Sequence, residues 1–362
     1  MNPPPANSQI RVLIVDDSAF MRTAISRMIA SDPDISIVGT ASCGIEALQK
    51  VPQLDPDVIT LDVQMPGLDG LQTLSRIMAE FPRPVIMVSS VTMKDAETTF
   101  NALAAGAFDY VPKELSSTSL GILHLQNDLI AKIKAAAQSR HRREALVISR
   151  KPSCAAAVPM RETSLSTPAI VAIGVSTGGP KALQEILPLL PADLAAPILV
   201  VQHMPAGFTE PFAKRLDSLC AVSVCEAAQG AVIQSGVVYI APAGAHLTVE
   251  RGGSRTVISL SDKPENKLHI PSVDVMMQSV ASAFGSLAMG IIMTGMGSDG
   301  AQGMGAIHRQ GGFTVGQDES SCTVYGMPRA CAEMRILDRV VPLSEIPHEI
   351  LQATRYRRAS VS

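Results

Sequence analysis

The sequence predicts an α/β protein built from two doubly wound domains with mainly parallel sheets, joined by a linker. Three observations lead there. Short runs rich in Val, Ile and Leu alternate with helical stretches from about Ile10 to Gln126, and an α/β pattern resumes over residues 169–355; such alternation builds βαβ units and a parallel sheet. Residues 151–168 are rich in Ser, Thr, Ala and Pro and lack periodicity, the composition of a tether. At 362 residues, the chain is long enough to bury two cores.

In the first domain, residues 8–126, the expected strands are Arg11–Val15, Ser36–Ala41, Val58–Leu61, Val85–Val88 and Ala107–Val111. Helical patterns follow them, among them Phe20–Ala30, Ile45–Val51, Leu71–Glu80 and Lys94–Ala105. Residues 127–168 are expected to be a linker, helical at its start and flexible afterwards, with Ser139–Arg143 as solvated basic charge rather than a nucleic-acid patch. The second domain, residues 169–355, shows strand-like runs at Ala169–Val175, Ala196–Gln202 and Leu287–Gly295 and a helix at Lys181–Leu187. A hairpin is expected from His246–Glu250, Gly252-Gly253 and Thr256–Leu260.

Bulk properties narrow the function classes. The formal net charge is −3, and residues 169–362 carry 14 Lys/Arg against 16 Asp/Glu, so no nucleic-acid partner is expected. Six cysteines (Cys43, Cys154, Cys220, Cys225, Cys322, Cys331) lie scattered without C-x-x-C spacing, which suits a reducing compartment and disfavours zinc at Cys220 and Cys225. No run approaches 18 apolar residues, and Met1–Pro5 has neither the basic nor the apolar region of a signal peptide. A soluble cytoplasmic protein without membrane insertion is expected.

In the first domain, charged and hydroxyl groups fall at strand ends: Asp16 and Asp17 after the first strand, Asp62 after the third, Ser89 after the fourth and Lys113 after the fifth. Three carboxylates on one edge repel each other unless a cation sits among them, and Mg²⁺ takes carboxylate oxygens, water and phosphate. Asp62 would then attack a phosphoryl group while the metal and Lys113 neutralise the transferred oxygens and Ser89 hydrogen-bonds the product. The plainer alternative, helix capping by Asp16, Asp17 or Ser18, accounts for one residue but not for the ordered set.

In the second domain the three strand-like runs lead into Ser176, His203 and Met296-Gly297-Ser298-Asp299. Ligands of open parallel sheets bind outside the carboxyl ends of the strands. A hydroxyl, an imidazole and a carboxylate delivered there form an activated serine nucleophile. The turn Gly174–Pro180 precedes a helix, whose N-terminus favours a developing oxyanion. Dinucleotide binding is disfavoured, because the glycines do not follow G-x-G-x-x-G and the next strand ends in His203 rather than an acidic residue. His246, His269 and His308 compete as base; only His203 closes a long apolar strand on the edge of Ser176. Asp299 either caps the helix from Ala301 or orients His203. The order Ser, His, Asp differs from that of α/β-hydrolases.

The first domain resembles receiver domains of two-component response regulators through Val15–Ser18, Leu61–Gly70, Met87–Ser90 and Val111–Lys113. The resemblance implies a flavodoxin-like fold, Asp62 as phosphoacceptor, Mg²⁺ held by Asp16, Asp17, Asp62 and the Gln64 carbonyl, and Tyr110 as the switch aromatic. Glu114 departs from the usual proline after the lysine. Together the two halves resemble the chemotaxis protein-glutamate methylesterases, through Gly174–Gly179, Gln202–Thr209, Tyr239–Pro242, Pro271–Val275, Thr294–Gly300 and Tyr325–Pro328. That resemblance implies a Rossmann-like hydrolytic domain with the triad Ser176, His203 and Asp299. Thr177 and Met296 are accessory, the latter through an oxyanion-hole N–H. It further implies phosphorylation-activated demethylation of glutamyl methyl esters on methyl-accepting chemotaxis receptors, and deamidation of receptor glutamines. A histidine kinase would be the phosphodonor, the enzyme a monomer, and Mg²⁺ needed for phosphorylation only. Ile270 stands where an arginine is common.

Overall fold

A computed structural model describes residues 9–90, 92–113, 119–148, 169–252, 255–264 and 267–355. The chain divides into two compact units, residues 1–153 and 154–362.

The first unit runs β1 (Ile10–Val15), α1 (Ala19–Ile29), β2 (Ile35–Ala41), α2 (Gly44–Leu54), β3 (Val58–Asp62), α3 (Gly70–Glu80), β4 (Val85–Ser89), α4 (Met93–Ala104), β5 (Asp109–Pro112) and α5 (Ser119–Ile148). Its sheet is parallel throughout, in the order β2-β1-β3-β4-β5. β3 and β4 are buried along their whole length, which is why they read as unbroken apolar runs rather than alternating ones. The helices start at local caps: Ser18 accepts from the Met21 N–H, and Asp69 and Gln72 form a reciprocal capping box.

One boundary needs correction. The expected linker start at residue 127 falls inside α5, a 30-residue helix. Leu129, Ile133, Ala136 and Ala137 recur at helical spacing and join Val12, Ile14, Val88 and Val111 in one core. Arg140, read from sequence as loose linker charge, donates to the Pro56 carbonyl and the Asp57 carboxylate, each at 3.0 Å. The apolar stripe is narrow and set among lysines and glutamines, so composition hid it. The rest of the expected linker, 149–168, and Glu114 lie outside the described residues.

The second unit places β6 (Ile170–Val175), β7 (Ile198–Gln202), β8 (Ser223–Glu226), β9 (Val237–Ile240), β12 (Ala288–Ile292), β13 (Phe313–Gln317) and β14 (Arg339–Val341) in one parallel sheet, ordered β14-β13-β12-β6-β7-β9-β8. Helices α6 (Gly179–Ile186), α7 (Thr209–Leu219), α8 (Val273–Phe284), α9 (Ala301–Arg309), α10 (Met327–Glu333) and α11 (Ile346–Arg355) connect or follow the strands. The expected hairpin is present as β10 (His246–Gly252) and β11 (Arg255–Ser261), an antiparallel pair whose Leu247, Val249 and Ile258 share a core with Met276 and Val280 of α8. The third expected run is shorter than its apolar length suggests: β12 stops at Ile292, and Thr294 is already tied through its hydroxyl to the Thr177 carbonyl.

If α5 belongs to the first core, a fragment ending at Gln126 is expected to lose cooperative thermal unfolding that a fragment ending at Ile148 keeps. Ile133→Ala should destabilise the longer fragment by about 2–5 kcal/mol. Equal melting of the two fragments would refute this boundary.

Candidate active site and phosphoacceptor site

β6 lies between β12 and β7, so the direction of winding reverses there and the carboxyl ends of these three strands open on one crevice. Ser176 follows β6 directly, its N–H bonded to the Thr294 carbonyl at 3.0 Å. The chain then turns into α6 through Gly178 at φ 77°, where a Cβ would also collide with Thr323. Both the left-handed turn and that close approach require glycine. Thr177 is buried in the same turn, its carbonyl accepting from Thr294 Oγ1 at 2.9 Å. Met296 is half-buried in the loop between β12 and α9.

Asp299 is held by an unusually full set of donors. Oδ2 faces His203 Nε2 at 2.8 Å and accepts from the Val273 N–H at 2.8 Å. Oδ1 accepts from Ser272 Oγ at 2.8 Å and the Asp274 N–H at 3.0 Å. The carboxylate therefore sits on the N-terminus of α8. Burial pushes its pKa up, but the His203 bond and the helix N–H groups outweigh that and hold it well below the ordinary carboxylate range. Asp274 returns the favour, accepting from the Gly300 and Gly303 N–H groups at the start of α9. Asp299 thus contacts His203 and also caps a helix, but that helix is α8, while the start of α9 is held by Asp274. Residues 271–275, quoted from the sequence without roles, supply this support.

The four candidate histidines have different surroundings. His246 is fully buried, its Nδ1 accepting from the Ser272 N–H at 3.0 Å and its Nε2 3.2 Å from the Pro264 carbonyl. His308 faces Asp338 at 3.7 Å. His269 stacks on His203 with ring centroids 4.0 Å apart, a contact the sequence did not reveal. Its neighbour Ile270 accepts from the Gly244 N–H at 3.1 Å through its carbonyl. A carboxylate only accepts, so in the neutral His203 ring the proton sits on Nε2. Nδ1 is buried without a hydrogen-bond partner among the described residues. No hydrogen bond joins Ser176 Oγ to His203 in this structure, a looseness common before substrate arrives.

The first unit repeats the topology. β1 lies between β2 and β3, and Asp16, Asp17 and Asp62 at its switch point bring carboxylate oxygens within 4.8 Å of one another. Lys113 Nζ lies 2.5 Å from Asp62 Oδ2 and 3.1 Å from Asp16 Oδ2. Burial raises the Asp62 pKa to about 6, with Lys113 and the Gln64 N–H opposing it and Asp16 adding to it. One ammonium against three carboxylates, all with hard oxygen donors, fits Mg²⁺. The Gln64 N–H donates to Asp62 Oδ1 at 3.0 Å, and its side-chain amide bonds the buried Asp95. Ser89 is buried, its Oγ 2.7 Å from Thr99 Oγ1 of α4 and donating to the Ser90 carbonyl at 3.2 Å. Tyr110 is buried on β5, and Lys132 of α5 donates to its carbonyl at 2.7 Å.

The depressed Asp299 pKa has a signed consequence. A carboxyl whose pKa is lower folded than unfolded stabilises the fold above its unfolded value, near 3.8, and loses that contribution as pH falls through and below it. Asp299→Asn has no such carboxylate, so its melting temperature should fall less steeply than the parent's between about pH 5 and pH 2. Parallel curves for the two proteins would contradict this electrostatic picture.

A family model described as CheB methylesterase matches residues 171–350, and one for the response regulator receiver domain matches residues 12–122. The chain is 45% identical over 361 residues to protein-glutamate methylesterase/protein-glutamine glutaminase 2 of Nitratidesulfovibrio vulgaris, covering 94% of this chain and 98% of that one. It is 44% identical to the protein of the same name, unnumbered, from Pyrococcus abyssi, covering 98% and 96%. Among solved structures, the CheB methylesterase catalytic domain of Thermotoga maritima superposes with a TM-score of 0.50 at 38% identity, covering 52% of this chain and 99% of that one. The chain belongs to the CheB methylesterase family and carries a response regulator receiver domain ahead of its methylesterase domain.

Proposed function

We propose that this chain is a receiver-controlled serine hydrolase that removes methyl groups from glutamyl methyl esters of chemoreceptors and deamidates receptor glutamines. The observation that carries the reading is the His203–Asp299 contact at 2.8 Å, at the switch point where Ser176 directly follows β6. Asp299 fixes the imidazole with its proton on Nε2 and leaves the Nδ1 lone pair as base. Ser176 Oγ attacks the ester carbonyl carbon as its proton passes to Nδ1. The carbonyl oxygen becomes an oxyanion near the start of α6, with the Met296 N–H as a further donor. The intermediate collapses, the methoxide takes the proton from Nδ1, and methanol leaves. Water then attacks the acyl-enzyme, giving its proton to Nδ1, and as the acyl–oxygen bond breaks Ser176 Oγ takes that proton back, leaving glutamate, free Ser176 and a neutral His203. For glutamine the same steps release ammonia.

In the receiver, Asp62 accepts a phosphoryl group from a histidine kinase. Asp16, Asp17, Asp62 and the Gln64 carbonyl would hold Mg²⁺, which when bound neutralises charge on the transferred oxygens. Lys113 lies against the accepting carboxylate to do the same. Ser89 would leave Thr99 to bond the phosphoryl oxygens, with Tyr110 as the switch aromatic. Phosphorylation adds about −1.5 to −2 charges at this edge. The reading places the work in the cytoplasm.

Release of methanol from methyl-labelled receptor membranes tests the proposal. Ser176→Ala should lower turnover at least about 10³-fold while the protein stays folded. Asp62→Asn should keep basal turnover and lose its rise with a small-molecule phosphodonor. Near-parental turnover in the serine variant would refute the nucleophile. A phosphodonor response surviving in Asp62→Asn would refute the phosphoacceptor.

A further inference from the structure

The last residue of β7, Gln202, is 2% exposed, and its amide reaches both catalytic turns. Nε2 donates to the Ser176 carbonyl at 3.0 Å and to the His203 carbonyl at 2.8 Å. A primary amide carries two N–H donors, and here both are used, one on each of the residues proposed as nucleophile and base. The strand ladder does not reach this far. β6 and β7 pair up to Val175 opposite Gln202, and the His203 N–H reaches back to the Val175 carbonyl at 3.2 Å. Beyond that the chains part, one entering α6 and the other leading towards α7. Bonded to one nitrogen, the Ser176 and His203 carbonyls cannot lie further apart than these two bonds together.

The other end of the amide supports the same view. Gln202 Oε1 is buried with no hydrogen-bond partner among the described residues. An unpaired buried oxygen is destabilising, and an apolar side chain would fill the space without that cost. Flipping the amide would set its oxygen against two carbonyl oxygens, so the orientation follows from the chemistry. Gly179, the first residue of α6, is shaped to it, because a Cβ there would overlap Gln202 Oε1.

We propose that Gln202 is a positioning residue that fixes the separation of Ser176 and His203, and so the approach of Ser176 Oγ to His203 Nδ1. The proposal rests on the reading of those two residues as nucleophile and base. Misplacement of reacting groups by 1 Å costs about 10²-fold in rate, so loss of this bracket should slow chemistry and spare binding.

The test uses the full chain and two variants of similar length, Gln202→Met, which donates nothing, and Gln202→Glu, which sets oxygen against both carbonyls. Receptor demethylation gives kcat and KM, a fluorophosphonate reports Ser176 reactivity without receptor, and thermal unfolding reports the fold. Both variants should unfold cooperatively with KM within about twofold of the parent, while kcat and labelling rate fall together by about 10- to 100-fold. Gln202→Glu should be the slower of the two. Unchanged kcat and labelling in a folded Gln202→Met, or a change in KM alone, would overturn the proposal. So would loss of the fold in both variants, which would make Gln202 a packing residue. An inactive parent would instead refute the proposed function itself.

Discussion

One carboxylate organises the catalytic unit. Asp299 draws together the N-terminus of α8, the Ser272 hydroxyl and the His203 ring, so a single group ties a helix end to an imidazole. Burying a carboxylate is costly unless charge-assisted hydrogen bonds replace its hydration. Four donors do so here, which is why the group stays ionised. The reciprocal bond from Asp274 to α9 locks the two helices as a pair. The loop between β12 and α9, which carries Met296, is held at both ends by these contacts and by the Thr294 hydroxyl. Asp299 thereby bonds a helix end and an imidazole together, a pair of contacts that leaves no local pattern in the sequence.

The two units apply the same topological rule to opposite electrostatic problems. In each, a central strand with neighbours wound in opposite directions opens a crevice at its carboxyl end. In the catalytic unit the buried carboxylate is over-supplied with donors, and its pKa is depressed. In the receiver, Asp16 and Asp62 share Lys113 with Asp17 close by, and burial lifts the Asp62 pKa to about 6. The first arrangement needs nothing more to be stable. The second is an incomplete charge balance, suited to a divalent cation and a phosphoryl group.

Much of this was legible in the sequence, for a physical reason. Parallel strands buried on both faces leave long apolar runs, and their carboxyl ends are where polar residues must appear, so Asp62, Lys113, Ser176 and His203 stood out by position. The strands of the first unit were expected within two residues of where they lie. What was not legible depends on contacts distant in sequence. His269 stacking on His203 and the exchange of carboxylates between α8 and α9 leave no local pattern. The bracket at Gln202 reaches Ser176, 26 residues away, and looks like one polar residue ending a strand. The short strands β8 and β14 carry too few residues for periodicity to register, and α5 hid its narrow apolar stripe among lysines and glutamines.

The central claim is that Asp299 holds the neutral His203 ring with its proton on Nε2, leaving Nδ1 as the base towards Ser176. Nitrogen-15 NMR of the histidine side chains, assigned through His203→Gln, reads this directly. A protonated Nε2 with a downfield hydrogen, lost in Asp299→Asn, and an unprotonated Nδ1 in the neutral ring are the expected result. A neutral His203 carrying its proton on Nδ1 would contradict the account.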